Sequence, residues 1–297
     1  MKTPCAIGID VGGSKTAGAV VTLDGRPLAP RVAPTRPERG GRAVLDAALA
    51  MAEALAADAR RQDFDVAAVG IAVAELVDVS GNVVSENLIA WRGMPVQSLF
   101  SKIAPARVDA DVRCAALGEA RFGAGRGRSV FLYVTVGTGI SSALVLGGRP
   151  YTGARGCTGT CASSPVGSDP PLEKVAAGPA ILARYNELSK TPLARGEEIT
   201  AAAARGDLVA IRVVSIAGEA LGGGIGWLVN VLDPEAVVIG GGLGVERSLF
   251  WDCAVASARL HIWSDLSRAL PIVPAALGTN AAVVGAAAGA LEARGIL

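Results

Sequence analysis

Along this chain, short apolar runs are repeatedly cut by glycines, and two such stretches share one layout. The first runs Gly8-Ile9-Asp10-Val11, turns at Gly12-Gly13-Ser14 and resumes as Lys15-Thr16-Ala17-Gly18-Ala19-Val20-Val21 before Asp24-Gly25-Arg26-Pro27. The second runs Tyr133-Val134-Thr135-Val136, turns at Gly137-Thr138-Gly139 and resumes over 140–146 before Gly147-Gly148-Arg149-Pro150. Each predicts an apolar strand, a tight glycine turn, a second strand and a hairpin signal. Two copies in one chain predict two halves facing each other across a cleft. The backbone amides of both turns would then grip one polyanionic ligand from two sides.

The remaining pattern is mixed α/β. Val44, Leu45, Ala48, Met51, Ala52 and Leu55 recur at helical spacing, which predicts a helix over 41–61. Strands are predicted over 66–73 and 106–109, with a strand pair over 76–84 turned at Ser80-Gly81-Asn82. A helix follows from Asp111 to about Phe122. After the second glycine device, 154–171 reads as a long loop, followed by helices near 172–188, 200–204 and 207–231. A strand over 235–239 ends in Gly240-Gly241-Gly242, a helix covers 247–260, a strand 272–275 and an Ala-rich helix 279–293. The expected organisation is two domains: 1–112 plus 280–297 as a smaller one, and 113–279 as a larger one, with the last helix packed back on the first.

The chain has 297 residues, enough for two domains of ordinary size. With 51% hydrophobic and 19% charged residues it reads as a well-buried globular protein. A net charge of +1 gives no global field for nucleic acid or an anionic membrane. No uninterrupted apolar run reaches the ~18 residues of a membrane span. Acidic Asp10 stands where the apolar core of a secretion signal would be, so the expectation is a cytoplasmic protein with its five cysteines reduced.

Gly8–Thr16 nearly matches a P-loop, but Ser14 separates Gly13 from Lys15, and 16–21 reads as a strand where a P-loop opens a helix. A phosphate hairpin is the better reading, with purely structural hairpin glycines as its alternative. The run Val237–Gly244 lies too late in the chain for a dinucleotide fingerprint. It suits backbone approach to a nucleotide base or ribose, or a plain strand-to-helix turn. Asp10, just before the first glycine turn, is placed to hold a Mg²⁺ ion that bridges phosphates. Asp111 suits either a helix N-cap or a base at a strand end. His261, the only histidine, reads as a surface or capping residue. Cys157 and Cys161 lack the further ligands that a zinc site needs, and read as unpaired thiols.

These pieces, in this order, resemble the ROK family of repressors and sugar kinases, within the actin/hexokinase-like ATPase fold. The strongest parts are Ile9–Lys15, Val108–Asp111 with Ala115–Glu119, and Val134–Ile140. Glu86-Asn87-Leu88, Gly153–Gly156, Leu172-Glu173 and Pro234–Leu243 support them. The resemblance implies an ATP- and Mg²⁺-dependent kinase with Asp111 as the base that takes the proton from the attacking sugar hydroxyl. It places Asp10 and Gly12, Gly13, Ser14 and Lys15 at the Mg²⁺–phosphate group, Gly137, Thr138 and Gly139 at the phosphates from the other domain, and Gly240, Gly241, Gly242 and Leu243 at the adenosine. It assigns Asn87, Gly153 and Glu173 to the sugar, and implies a homodimer.

The departures carry information too. Ala110 stands where the family usually has Asn before the catalytic Asp. Gly159-Thr160-Cys161-Ala162-Ser163 replaces the usual Gly-Glu-x-Gly-His, so Thr160 and Ser163 take the places of two sugar ligands. The Cys-rich zinc motif is replaced by Val166-Gly167-Ser168-Asp169-Pro170-Pro171, and no structural zinc is expected. Ala74-Glu75 replaces a usual Pro-Gly pair. Glu75 then either meets an amino group on the substrate or faces solvent, and solvent is the expectation. The implied acceptor is an amino sugar or a carbocyclic sugar mimic phosphorylated on a primary hydroxyl. An ordinary glucokinase, an inactive sugar- or ATP-binding protein, and a repressor are the alternatives. The repressor ranks last, because the first phosphate motif begins near residue 8 with no helix-turn-helix before it.

Overall fold

The computed structural model describes residues 2–163 and 170–297. In chain order the elements are β1 (Thr3–Val11), β2 (Lys15–Thr22), β3 (Pro27–Pro34), α1 (Gly41–Arg61), β4 (Phe64–Val73), α2 (Val96–Phe100), β5 (Ala106–Ala110) and α3 (Asp111–Phe122). They continue with β6 (Val130–Val136), β7 (Ile140–Leu146), β8 (Arg149–Pro150), α4 (Glu173–Ala176), α5 (Gly178–Leu188), α6 (Glu197–Ala204) and α7 (Leu208–Leu232). Last come β9 (Ala236–Gly240), α8 (Leu249–His261), α9 (Asp265–Arg268), β10 (Ile272–Pro274) and α10 (Ala281–Ala293). Among the described residues two compact units form, one of 1–127, 145–158 and 279–297, the other of 128–144 and 159–278.

The first unit holds a five-stranded sheet in the order β3-β2-β1-β4-β5. β1 and β2 pair antiparallel about the turn at Gly12–Ser14, whereas β4 and β5 run parallel to β1. A strand follows that turn, so the segment is a β-hairpin and not the strand-to-helix turn of a P-loop. One face of the sheet is covered by α1, whose Val44, Leu45, Ala48 and Leu55 are buried against Ile7, Ile9 and Ile71. α10 covers the other face at backbone distance. A Cβ on Gly8 would lie 2.1 Å from the Val283 carbonyl oxygen, and one on Gly70 would lie 1.9 Å from that of Ala286. On α10 itself, a Cβ at Gly285 would lie 1.7 Å from the carbonyl oxygen of Cys114 in α3. An Ala/Gly-rich helix is required here because larger side chains would lift it off the strands.

This packing moves the expected domain boundary. A division at residue 112 would strip α3 from α10, against which it is docked. The first unit therefore runs through Gly127 and recovers 145–158. The predicted strand pair over 76–84 reduces to a single bridge between Val77 and Val83, because the Asp78 side chain closes the turn by accepting from the Ser80 and Asn82 amides. β3 lies outside the expected pattern because Pro27, Pro30 and Pro34 interrupt it. Prolines are tolerated there since β3 is an edge strand.

The second unit contains β6, β7, β9 and β10 in a sheet ordered β10-β9-β6-β7-β8, with β9 parallel to both β6 and β10. The expected helix over 172–188 is two helices, separated where Ala177 takes an extended conformation. α7 is capped by Asp207, whose carboxylate accepts from the Val209 and Ala210 amides. By length and composition alone it is long and apolar enough to cross a bilayer, although Arg212 and Glu219 interrupt its apolar run. Its apolarity serves core packing. Gly218, Gly222 and Gly226 recur every fourth residue, and Cβ atoms on Gly218 and Gly222 would lie 2.6 and 2.3 Å from carbonyl oxygens of α8.

Candidate active site

The first unit gathers Asp10, Gly12–Lys15, Glu75, Asn87, Asp111 and Gly153; the second carries Gly137–Gly139, Thr160, Ser163, Glu173 and Gly240–Leu243.

In the first unit, Asp10 is the penultimate residue of β1 and Lys15 opens β2. The Gly12 amide donates to the Lys15 carbonyl at 3.0 Å, closing the turn. Two residues without a place in the sequence reading brace it from behind. The Thr35 hydroxyl donates to the Gly12 carbonyl at 2.7 Å, and the Thr35 amide to the Ser14 carbonyl at 3.1 Å. The Thr16 and Thr35 hydroxyls lie 3.0 Å apart, both buried. Thr16 directly follows the glycine turn and was open to detection there; Thr35 carries no such signal, because β3 is cryptic.

Asp111 is the first residue of α3. The N-cap is Ala110, in extended conformation and with no capping side chain, so the N-cap reading of Asp111 is corrected. One Asp111 oxygen accepts from the Val112 amide at 2.7 Å. Burial pushes the Asp111 carboxyl up to about 6; the Glu75 carboxylate raises it further, while the Val112 N–H and Arg113 guanidinium oppose the rise. Asp10 is pushed up to about 7, chiefly by burial and then by Asp111, against the Lys15 ammonium. Lys15 and Arg113, the latter also paired with Asp109, thus offset only part of the charge on Asp10, Glu75 and Asp111. That excess of negative charge suits a divalent cation, with Asp10 as the donor beside the phosphate turn.

Glu75 is 5% exposed, which corrects the expectation that it faces solvent. Its carboxylate accepts from Ser85 Oγ and from the amides of Asn87, Leu88 and Ile89. The Asn87 side chain is exposed on the segment so held.

Arg113, absent from the sequence reading, is 2% exposed. It pairs with Asp109 at 2.5 Å and donates to the carbonyls of Gly156 at 2.6 Å and Val77 at 2.7 Å. Asp109 and Arg113 therefore bracket Asp111 in sequence, and Arg113 ties its helix to two loops, one of them the Gly153–Gly156 turn. An arginine on an otherwise apolar helix face was the available signal.

In the second unit, the Gly137 amide donates to the Gly139 carbonyl at 2.9 Å, and the Gly178 amide, opening α5, donates to the Gly137 carbonyl at 2.9 Å. Glu173 accepts from the Ile140 amide at 2.9 Å, and a Cβ on Gly139 would lie 2.8 Å from the same carboxylate oxygen. Glu173 therefore supports the second glycine turn. Gly241 has a φ of +81°, and a Cβ there would lie 2.3 Å from the Val136 carbonyl oxygen. The Leu243 amide donates to that carbonyl at 3.2 Å, which seats Gly240–Leu243 beside the end of β6. A narrow apolar crevice lies alongside, lined by Gly178, Ile181, Val214, Leu243 and Phe250. Thr160 and Ser163 are exposed at the short turn 161–163.

Cys157 and Cys161 are exposed thiols, and the described residues contain no group of three or more His, Cys, Asp and Glu able to hold a metal. Of the segment that replaces the zinc motif, 166–169 lie outside the described residues. His261 ends α8, with Nδ1 2.8 Å from the Ser257 carbonyl.

Comparison with known proteins bears on what this arrangement does. The model of the ROK family matches residues 6–293. A glucokinase from Streptomyces coelicolor is 31% identical, covering 95% of this chain and 96% of its own length. The bifunctional enzyme NanE/NanK of Brucella melitensis is 32% identical over 95% of this chain, which spans about half (53%) of that relative. Among solved structures, a glucokinase from Streptomyces griseus in complex with glucose and AMPPNP superposes with a TM-score of 0.85 at 29% identity. That match covers 97% of this chain and 99% of the glucokinase.

Proposed function

Because the chain belongs to the ROK family, with its actin/hexokinase-like fold, we propose that it is an ATP-dependent sugar kinase. It transfers the γ-phosphate to a primary hydroxyl of a hexose-like acceptor, with Asp111 as general base. The observation that carries this reading is the Asp111 carboxyl at the head of α3, held at about 6 by burial and by Glu75. A base works best when its pKa lies near the working pH, because it is then both ionised and a competent proton acceptor. Phosphoryl transfer otherwise asks mainly for positioning and charge neutralisation.

In this reading the Gly12–Lys15 and Gly137–Gly139 turns bind phosphate oxygens through backbone amides, with Lys15 adding a positive charge. Gly240–Leu243 receive the adenosine. Asp10 is the residue that would hold Mg²⁺, which offsets the charge of the phosphates. Asn87, Gly153, Glu173, Thr160 and Ser163 face the acceptor. Thr160 and Ser163 in place of Glu and His, and Ala110 in place of Asn, favour an amino sugar or carbocyclic mimic. A site that loses partners for buried hydroxyls shifts its preference by orders of magnitude. The second reading, an ordinary glucokinase, is favoured by the similarity to the Streptomyces coelicolor enzyme.

A coupled ADP-release assay over hexoses, amino-hexoses and cyclitols separates the two. Preference for glucose supports the second reading, and silence on every acceptor with Mg-ATP overturns the kinase assignment.

The protein is also proposed to form a homodimer through the second unit. Trp227 and Val231 of α7, Leu260 of α8, Trp263 between α8 and α9, and Leu266 of α9 are 59% to 90% exposed. Asn230 links these elements, donating to the His261 carbonyl and accepting from the Trp263 amide. Two exposed tryptophans in one apolar area are a mark of an interaction surface.

A further inference from the structure

The proposed chemistry gives the buried Glu75 no task. Glu75 follows β4, and its carboxylate is sealed from solvent. Oε1 accepts from the Leu88 amide at 2.5 Å and the Ile89 amide at 2.8 Å. Oε2 accepts from the Asn87 amide at 2.9 Å and from the Ser85 hydroxyl. Ser85 Oγ in turn accepts from the Leu76 amide at 2.8 Å, which closes a ring between the two ends of the intervening loop. A carboxylate offers about four acceptor positions, and four donors occupy them. It has none left for a substrate.

The segment it holds sits among the candidate catalytic groups of the first unit. A Cβ on Gly13 would lie 3.2 Å from Leu88 Cδ1, so Leu88 packs against the first glycine turn. Asn87, the first of the three residues with anchored amides, is exposed. Glu75 is also near enough to Asp111 to raise its pKa. Three consecutive amides converging on one anion form a nest, which fixes the backbone far more tightly than a surface loop of the same length.

We propose that Glu75 is a positioning residue that sets acceptor selectivity by fixing residues 85–89, and Asn87 with them, without touching the acceptor itself. This rests on the kinase reading above. Only an acceptor-only group suits the nest. A glutamine in the same place points its NH₂ at two of the four donors and leaves buried donors unpaired, which loosens the segment.

The test uses the full-length protein in two arms. In hydrogen exchange, the amides of Asn87, Leu88 and Ile89 are expected to be protected in the unmodified chain. In Glu75→Gln they lose that protection, while β1, β4 and α10 keep theirs. In steady-state kinetics, Glu75→Gln is expected to raise the acceptor KM by about 10- to 100-fold with ATP KM within about twofold, the size expected for one or two orphaned buried donors. Discrimination between the best acceptor and its nearest analogue falls with it.

Unchanged exchange at 87–89 overturns the anchor. Lost protection with an unchanged acceptor KM, or equal rises in both KM values, overturns the selectivity role. If Glu75→Gln does not fold, Ser85→Ala removes a single donor from the nest. It is expected to raise acceptor KM about 3- to 10-fold with ATP KM unmoved, and no change overturns the proposal. Absence of turnover by the unmodified protein on every acceptor overturns the kinase reading instead, and the exchange arm still decides the anchor.

Discussion

Burial sets the surroundings of Asp10 and Asp111 against their ionised forms. Their carboxyls stand at about 7 and about 6, both raised first by burial. Two outcomes follow at this scale. Asp111→Asn is expected to lower kcat by about 10²- to 10⁴-fold, the usual contribution of a general base. Its circular dichroism spectrum should stay that of the parent. In the parent, kcat/KM should fall as pH drops through about 6, because protonated Asp111 is too weak a base to take the hydroxyl proton; a profile flat down to pH 5 removes Asp111 from that role. Asp10 gives a stability effect of opposite usefulness. A carboxyl raised in the folded state holds its proton more tightly there than when unfolded. Stability is therefore greatest near the unfolded value and declines as pH climbs from about 4 towards about 7. Asp10→Asn should match the parent's melting temperature near pH 4 and exceed it at pH 8. The gain is of the order of 2 kcal/mol, discounted for the coupling to Asp111, since one pKa unit corresponds to about 1.4 kcal/mol. Thermal denaturation across pH in the absence of nucleotide and Mg²⁺ measures it.

At the scale of elements, the glycine positions decide how closely backbones approach. The face of β1 and β4 that receives α10 depends on Gly8 and Gly70, and α3 receives it through Gly285. Gly70→Ala places a methyl group 1.9 Å from a carbonyl oxygen of α10, which forces the helix outward. The expected loss is about 1–3 kcal/mol, the range for overpacked cores, read from urea denaturation. An unchanged midpoint would mean that α10 adapts without cost. The brace behind the first turn is a second element-level device. Thr35→Val keeps the shape but removes the hydroxyl that donates to the Gly12 carbonyl. ATP KM is expected to rise about 5- to 20-fold, as one buried carbonyl loses its partner, with acceptor KM little changed.

For the whole molecule, the distribution of exposed apolar side chains is uneven. Leu260, Trp263 and Leu266 are 83%, 86% and 90% exposed, and all belong to the second unit. Large side chains left this open are stabilised when another surface covers them. Light scattering is expected to give twice the 29.8 kDa chain mass, and the double variant Trp263→Glu, Leu266→Glu to give a single chain. A parent that already elutes as one chain overturns the dimer.

Much of the architecture is written in local pattern. Both strand–turn–strand devices, the helix over 41–61, α3 from Asp111 to Phe122 and the apolar α7 follow from spacing and glycine placement. Local signals suffice there because periodicity and turn residues act over a few neighbours. The candidate phosphate turns and Asp111 were legible for the same reason. What the tertiary structure decided is everything that depends on distant partners. Pro-rich β3 becomes a strand only because β2 offers it an edge, and Thr35 becomes a brace only through β3. Glu75 reads as a surface charge until residues 85–89 fold over it, and Arg113 as a helix charge until Val77 and Gly156 turn their carbonyls towards it. The physical reason is common to all four. A polar group's role is set by which donors and acceptors surround it, and those come from segments remote in sequence.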